Sequence, residues 1–290
     1  MVKKIMIGAV AGMFACTAAF AQAEDPAPMK KHEVFVSLGG GLSSMQYETH
    51  LGNSEAETGW NFGIGYSYKL NRSWSINAGF ELAKYASSMK GSDFSESYDT
   101  NDGEYDFTFK TKVSTYSESQ RALYLNIPIM AQYELPIGNK LNFYVAGGAK
   151  IGIPISSTYT VAHPTVYNEG YYPDLNITYN YLNYKGFGTF YPLDEENDLD
   201  LKFAVSVSLE TGVKWKFSKK LDLYTGVYAD YGLTSVKPDD AGTLVNYDPT
   251  AENNFVLNSV LNSSQVNGSS LSDKVIPVSF GLKIRMALPF

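Results

Sequence analysis

The chain has 290 residues, 44% of them hydrophobic and 14% aromatic, with 22 tyrosines and a formal net charge of -7. That acidity argues against a nucleic-acid surface, and the aromatic content is unusual for a soluble enzyme but expected where aromatic belts and tyrosine-rich loops coexist. The length softly suggests two domains, yet barrels run this long as one and no linker divides the chain, so a single domain is expected.

Lys3 and Lys4 precede an apolar run from Ile5 to Phe20, and Ala19, Ala21 and Ala23 offer A-x-A type cleavage sites. Residues 1–21 read as a secretory signal peptide, cleaved after Ala21 or Ala23. Residues 22–32 read as a short periplasmic lead, and 33–290 as the barrel domain. The apolar run is marginal for a spanning helix and nothing like it recurs, so no helical membrane domain is expected. Cys16, the one cysteine, lies inside this segment. Met13-Phe14-Ala15-Cys16 is a weak match to a lipoprotein processing site. If Cys16 leaves with the signal, the mature chain has neither a disulfide framework nor thiol chemistry.

Eight strands follow, each marked by period-two alternation with its apolar set on one face. Strand 33–47 turns out Val34, Val36, Leu38 and Leu42, and strand 59–70 turns out Trp60, Phe62, Ile64, Tyr66, Tyr68 and Leu70. Strand 74–86 presents Trp74, Ile76, Ala78, Phe80 and Leu82, strand 120–135 presents Leu123 through Leu135 at alternate positions, and strand 141–155 presents Leu141, Phe143, Val145, Ile151, Ile153 and Ile155. Strand 201–217 sets Leu201, Phe203, Val205, Val207, Leu209, Val213, Trp215 and Phe217 against lysines, serines and Glu210. Strand 221–234 turns out Leu221, Leu223, Val227, Ala229, Tyr231 and Leu233. The last strand, 275–290, alternates from Ile276 to a terminal Phe290. An apolar face backed by a polar face with interior Lys and Glu is the signature of a barrel between lipid and a polar lumen.

Connections at 71–73, 136–140 and 218–220 are tight, whereas 48–58, 87–119, 156–200 and 235–273 are long. The pattern predicts an all-β, eight-stranded antiparallel up-and-down transmembrane β-barrel, with short periplasmic turns and four long extracellular loops in the outer membrane of a Gram-negative bacterium. Ten strands remain an alternative if alternating loop segments also cross lipid. Tyr66, Tyr68, Trp74, Tyr133, Phe143, Trp215, Phe217 and Phe290 all fall on lipid faces near the tight turns, forming one interfacial girdle.

The stretch Ala122-Leu123-Tyr124-Leu125-Asn126-Ile127-Pro128-Ile129, followed by Gln132-Tyr133-Glu134 and Val145-Ala146-Gly147-Gly148, resembles the small outer-membrane β-barrel families of Gram-negative bacteria. Related forms are the OmpA-type membrane domain and the opacity-type and porin-like barrels, and the variety most similar is that of the Bacteroidetes. The resemblance spans essentially the whole mature chain and implies fold and location, since members differ in role. It also implies outer-membrane lipid as surroundings and the barrel-assembly machinery as a partner for the strand ending in Phe290. No periplasmic domain for gripping peptidoglycan is expected after the barrel.

The inward set includes Glu81, Glu134, Glu210, Asp222 and Asp230 against Lys69, Lys150, Lys202, Lys214, Lys216, Lys283 and Arg285. An eight-stranded lumen is just wide enough to be filled by side chains, and unmatched buried charge is costly. A paired network of Glu81, Lys150, Glu210, Lys214, Asp230, Lys283 and Arg285 is therefore expected. A partly hydrated interior, or a narrow ion path opened by breaking one pair, are the alternatives.

The second loop is acidic (Asp93, Glu96, Asp99, Asp102, Glu104, Asp106), and the third carries Tyr159, Tyr167, Tyr171, Tyr172, Tyr179, Tyr181 and Tyr184. Tyrosines of this kind make binding surfaces, so an extracellular ligand at the loops is one expectation. Hairpins merely prolonged above the membrane, through Tyr105, Phe107, Phe109 and through Leu175, Ile177, Tyr179, Tyr181, are the other. The Asp194–Asp200 run lacks EF-hand spacing and reads as a solvated acidic stretch before a calcium site. His32, His50 and His163 have no evident Ser or Asp partner, and no metal-ligand spacing or phosphate loop occurs. The expected role is therefore structural and surface-interacting, without catalysis or cofactor, and a narrow porin-like channel is the alternative.

Overall fold

The computed structural model describes residues 30–290 apart from 115, 163, 193–195, 219 and 267. The signal peptide and its cleavage sites, with His163, Asp194 and Glu195, lie outside the described residues. Eight long strands form the body: β1 (His32–Gln46), β2 (Glu55–Lys69), β3 (Trp74–Lys90), β4 (Ser117–Pro136), β5 (Leu141–Val161), β6 (Ala204–Ser218), β7 (Leu221–Gly232) and β8 (Ile276–Pro289). Each pairs antiparallel with its sequence neighbour, and β8 returns to β1 from Glu33↔Pro289 to Gln46↔Ile276, closing the ring. Eight strands close it, so the ten-strand alternative falls. No α-helix occurs among the described residues.

Local chemistry sets the tight turns. Asn71 Oδ1 accepts the backbone N–H groups of Ser73 (2.9 Å) and Trp74 (2.8 Å), an Asx turn that reverses the chain between β2 and β3. Between β4 and β5, Ile137 donates its N–H to the Leu141 carbonyl at 3.0 Å.

Burial follows the period-two pattern. Val34, Phe62, Ile64, Phe80, Ile129, Ile151, Leu209, Leu282, Ile284 and Leu288 are exposed while Asn61, Ser67, Glu81, Asn126, Lys150, Ser208 and Lys283 are buried. A continuous wall of exposed leucine, isoleucine and phenylalanine would be insoluble in water, and it matches a lipid-facing band around a polar interior. A bulge on β5, where Ser156 pairs with Leu123 but Pro154 with Tyr124, shifts the phase at Ile155 and turns Ser157, Tyr159 and Val161 inward.

The ladder runs further toward the loops than the apolar pattern indicates. β2 begins at Glu55 instead of 59, β3 continues to Lys90, β4 begins at Ser117 and β5 continues to Val161. Above the lipid band a strand no longer needs an apolar face, so Ser87, Ser88 and Lys90 pair with Gln120, Ser119 and Ser117 without alternation to announce them. The sixth strand starts at Ala204, three residues late, and Leu201 is buried under the loops instead of facing lipid.

At several rungs the ring requires glycine on both strands, and one of them joins β6 to β7. Gly212 faces Gly226 across β6 and β7; a Cβ on Gly226 would lie 2.2 Å from the Thr211 carbonyl oxygen and 2.8 Å from the Tyr144 hydroxyl. Gly226→Val is therefore expected to cost about 1–3 kcal/mol through overpacking. Heat-modifiable gel mobility across a urea series reads it as a lower midpoint for the folded band, and an unshifted midpoint contradicts it.

Candidate functional site

The inward positions gather the charges into two layers. In the layer further from the tight turns, Lys150 Nζ lies 2.7 Å from Glu81 and 2.9 Å from Asp230, and Lys283 Nζ lies 3.1 Å from Glu81 and 2.6 Å from Glu210. Asn126 donates to Glu81 at 3.3 Å and Ser279 to Asp230 at 3.1 Å.

Nearer the turns, Lys214 is shared by Asp222 (3.1 Å), Glu134 (3.2 Å) and Glu33 (3.7 Å), and Lys69 reaches Glu33 at 3.2 Å. The Tyr224 hydroxyl stands 2.9 Å from Glu33 and 3.1 Å from Glu134, with its one proton available to either. The Gln132 and Asn142 amides each donate to Glu134 at 2.9 Å.

Arg285 joins differently. Its Nη2 donates to Gln132 at 2.5 Å, and its guanidinium carbon stands 3.9 Å from the Tyr224 ring centroid, 5.2 Å from that of Phe35 and 5.5 Å from that of Tyr144. No carboxylate pairs with it within 4.0 Å among the described residues, so its direct contacts are the Gln132 amide and aromatic faces.

Five of the seven singled-out residues thus meet in one cluster, Lys214 centres a second, and Arg285 stacks between them. Two other expected inward lysines do not point in. Lys202 is exposed above the barrel against Asp239 (2.6 Å), and Lys216 is exposed at the turn end, beyond the reach of the enclosed lumen. Glu33 is a member the sequence reading passed over. Its parity, one residue before outward Val34, was the available signal. The space left among Phe35, Ser37, Asn77, Met130, Glu81 and Lys283 is about 30 Å³, room for a water or two.

The girdle residues Tyr66, Tyr68, Trp74, Phe143, Trp215, Phe217 and Phe290 are exposed on the outer wall near the tight turns, and Tyr133 is half-buried beside Trp74 with ring centroids 5.1 Å apart. His32, at the start of β1, stacks on Phe290 at 5.6 Å and hydrogen-bonds Tyr66.

At the other end the long loops build a second folded body. Strands Phe94–Asn101 and Asp106–Ser114 form a hairpin that pairs through the latter with Thr165–Tyr172, whose far edge takes up Ile177–Tyr179 and Gly188–Phe190. The loop segments therefore do not simply prolong the barrel hairpins. Phe107 is the centre of the core, stacked on Tyr172 (5.1 Å) with Tyr247 (5.0 Å) and Phe187 (5.4 Å) edge-on. Tyr159 and Tyr172 are buried here, Tyr167, Tyr171 and Tyr179 half-buried, and Tyr181 and Tyr184 exposed, so the loop tyrosines divide between core and surface.

Two carboxylates pin this cap. Glu118 on β4 is wholly buried and accepts from Gln120 (2.8 Å), the Val260 N–H (2.9 Å), and the Tyr116 and Ser259 hydroxyls, tying the last loop to the barrel rim without a cation. Asp102 accepts from Lys185 (2.8 Å), Tyr172 (2.9 Å) and the Tyr105 N–H (2.8 Å). Burial pushes its carboxyl up, but these bonds more than offset that and hold it at about 2. His50 is exposed in the first loop, and Glu196–Asp198 lies as a short exposed strand along Thr158–Thr160. Among the described residues no cluster of His, Cys, Asp and Glu fits a metal ion.

Comparison with known families agrees with a barrel. The family model described as "Outer membrane protein beta-barrel domain" matches residues 20–237. The chain belongs to this outer-membrane β-barrel family. No curated protein matches it. Among solved structures, Neisserial surface protein A is 11% identical, with 89% of this chain and 97% of that one covered and a TM-score of 0.36. Ail, the attachment invasion locus protein of Yersinia pestis, is 10% identical over 90% of this chain and 99% of that one, with a TM-score of 0.30. An outer membrane channel of Pseudomonas putida F1 is 9% identical over 92% and 100%, with a TM-score of 0.25. The protein is thus an outer-membrane barrel.

Removing Lys214 would leave three buried carboxylates facing one another. Lys214→Met is expected to cost about 3–5 kcal/mol, read by urea unfolding in vesicles, and a loss below about 1 kcal/mol contradicts the shared-cation arrangement.

The Asp102 clasp has a defined pH window. A carboxyl lowered in the folded state stabilises fully above its ordinary value near 4 and is lost as pH falls through about 2. Cap protection in hydrogen exchange should therefore be flat from pH 5 to 8 and weaker at all these pH values in Asp102→Asn. A parent clasp that opens near pH 6 contradicts this.

Proposed function

We propose that this protein is a closed outer-membrane barrel whose work is done by its cap. The tight turns face the periplasm, the cap stands at the cell surface, and its tyrosine-bearing acidic face binds an external ligand without catalysis. The observation that carries this reading is the folding of the long loops into one sheet with its own aromatic core. That core leaves Tyr181, Tyr184 and Tyr191 exposed at 70%, 74% and 74% on a braced support. Rigid aromatic surface loses little entropy on contact, which is what a recognition face needs. Exposed Asp99, Glu104 and Asp106 at the hairpin tip add acceptors and negative charge, favouring a ligand rich in hydroxyl groups or cations.

The lumen supports the same division of labour. A path for ions would have to break Lys150 from Glu81 and Asp230, or Lys283 from Glu81 and Glu210, with both lysines buried and about 30 Å³ free.

Two experiments test the reading. A membrane-impermeant maleimide applied to intact cells should label Tyr184→Cys and leave Lys140→Cys unlabelled until the outer membrane is opened; the reverse pattern inverts the orientation. Cells carrying the parent should be retained on at least one member of a panel of immobilised glycans and matrix proteins, and Tyr181→Ala/Tyr184→Ala/Tyr191→Ala should cut that retention about tenfold or more, given two or three anchor contacts. Equal retention of parent and variant contradicts a role for this face.

A further inference from the structure

Among the described residues, the tight-turn end of the barrel is a rim of cations whose neighbouring side-chain carboxylates are turned inward. Arg72 lies in the turn between β2 and β3, Lys140 at the turn between β4 and β5, Lys216 near the end of β6, Lys220 in the turn to β7, and Lys30 and Lys31 ahead of β1; all six are exposed. The carboxylates of this end, Glu33, Glu134 and Asp222, are buried and turned into the lumen, where Lys214 and Lys69 hold them. Among the described residues, Arg72, Lys140, Lys216 and Lys220 have no carboxylate within 4.0 Å, although the chain as a whole is acidic at -7.

Their depth is fixed by the girdle. Arg72 lies two residues beyond Trp74, Lys216 directly beside Trp215 and Phe217, and the backbone of Lys216 donates to the Lys140 carbonyl at 2.9 Å, bringing two cations together. At about 3.3 Å per strand residue, the backbones of Arg72 and Lys216 stand within about 7 Å, along the chain, of aromatic residues that mark the membrane interface. That is the level of lipid phosphates.

We propose that this rim binds the headgroups of anionic phospholipids in the leaflet next to the tight turns, as a ring of shared phosphate sites around the barrel. The interior network makes the ring possible, because drawing the acids inward strips the rim of its counter-charges. Polybasic segments at a membrane surface attract anionic lipid in this way, and salt screens the attraction. The inference stands independently of the cap's role.

The test uses the refolded mature barrel with Trp60→Phe, so that Trp74 and Trp215 at the rim report alone. It is placed in bilayers mixing phosphatidylcholine and phosphatidylglycerol, one of them brominated. Tryptophan quenching should show phosphatidylglycerol favoured over phosphatidylcholine by about threefold or more at low salt, a magnitude within reach of a few surface cations. The preference should fall to parity in Arg72→Gln/Lys140→Gln/Lys216→Gln/Lys220→Gln and, for the parent, in about 0.5 M salt. The salt arm decides alone if the variant does not fold. Equal quenching by both lipids in the parent overturns the proposal, as does a preference that survives high salt. Salt-sensitive retention on purified peptidoglycan without lipid preference would assign the rim to that polymer and likewise overturn it.

Discussion

Charge matching inside a lumen too narrow for bulk water is the constraint on which the rest of this molecule depends. Glu81 of β3, Lys150 of β5, Glu210 of β6, Asp230 of β7 and Lys283 of β8 form one cluster, and Glu33 of β1, Lys69 of β2, Glu134 of β4, Lys214 of β6 and Asp222 of β7 the other. Together they touch all eight strands. A slip of one residue in any strand would carry its charge to the lipid side and its apolar set into the network, so the ion pairs fix register as well as filling space. Lys150, Lys214 and Lys283 each face at least two carboxylates, which offsets the cost of leaving water more fully than a single pair would. The arrangement specifies one closed ring and leaves little room for transport.

With the interior committed in this way, chemistry that reaches outward must come from the two ends, and they are built oppositely. Among the described residues the turn end keeps its acids inside and shows cations. The loop end carries acid on its surface and aromatic rings beneath, with Phe107, Tyr172, Phe187 and Tyr247 holding the cap sheet together. Asp102 and Glu118 then fasten that sheet within itself and to the rim. Backbone hydrogen bonds outside the membrane are open to water, so the loops need such side-chain anchors to keep a single shape.

Alternation made the barrel legible in the sequence because lipid on one side and a polar lumen on the other demand opposite residues at successive positions. The same cause explains where legibility ends. Above the lipid band that demand lapses, so Ser87–Lys90 and Ser117–Gln120 paired without a recognisable pattern and Leu201 looked like a lipid-facing residue. Parity identified which charges point inward, but partnership depends on depth and on the tilt of strands far apart in sequence. Lys214 with Glu33, separated by most of the chain, could not be read from spacing. The cap was least legible: Asp106–Ser114 pairs with Thr165–Tyr172 across an intervening barrel hairpin, and the Asp102–Lys185 clasp depends on that pairing.

Single-channel recording of the refolded mature barrel in planar bilayers tests the closed, charge-matched lumen most directly, with Glu210→Gln and Lys283→Met beside the parent. The account predicts a silent parent whose folding is shown by heat-modifiable mobility, with conductance, if any, only in variants that break the Lys283 bridge. Steady, discrete openings in the parent would contradict it and make the interior charges a gate.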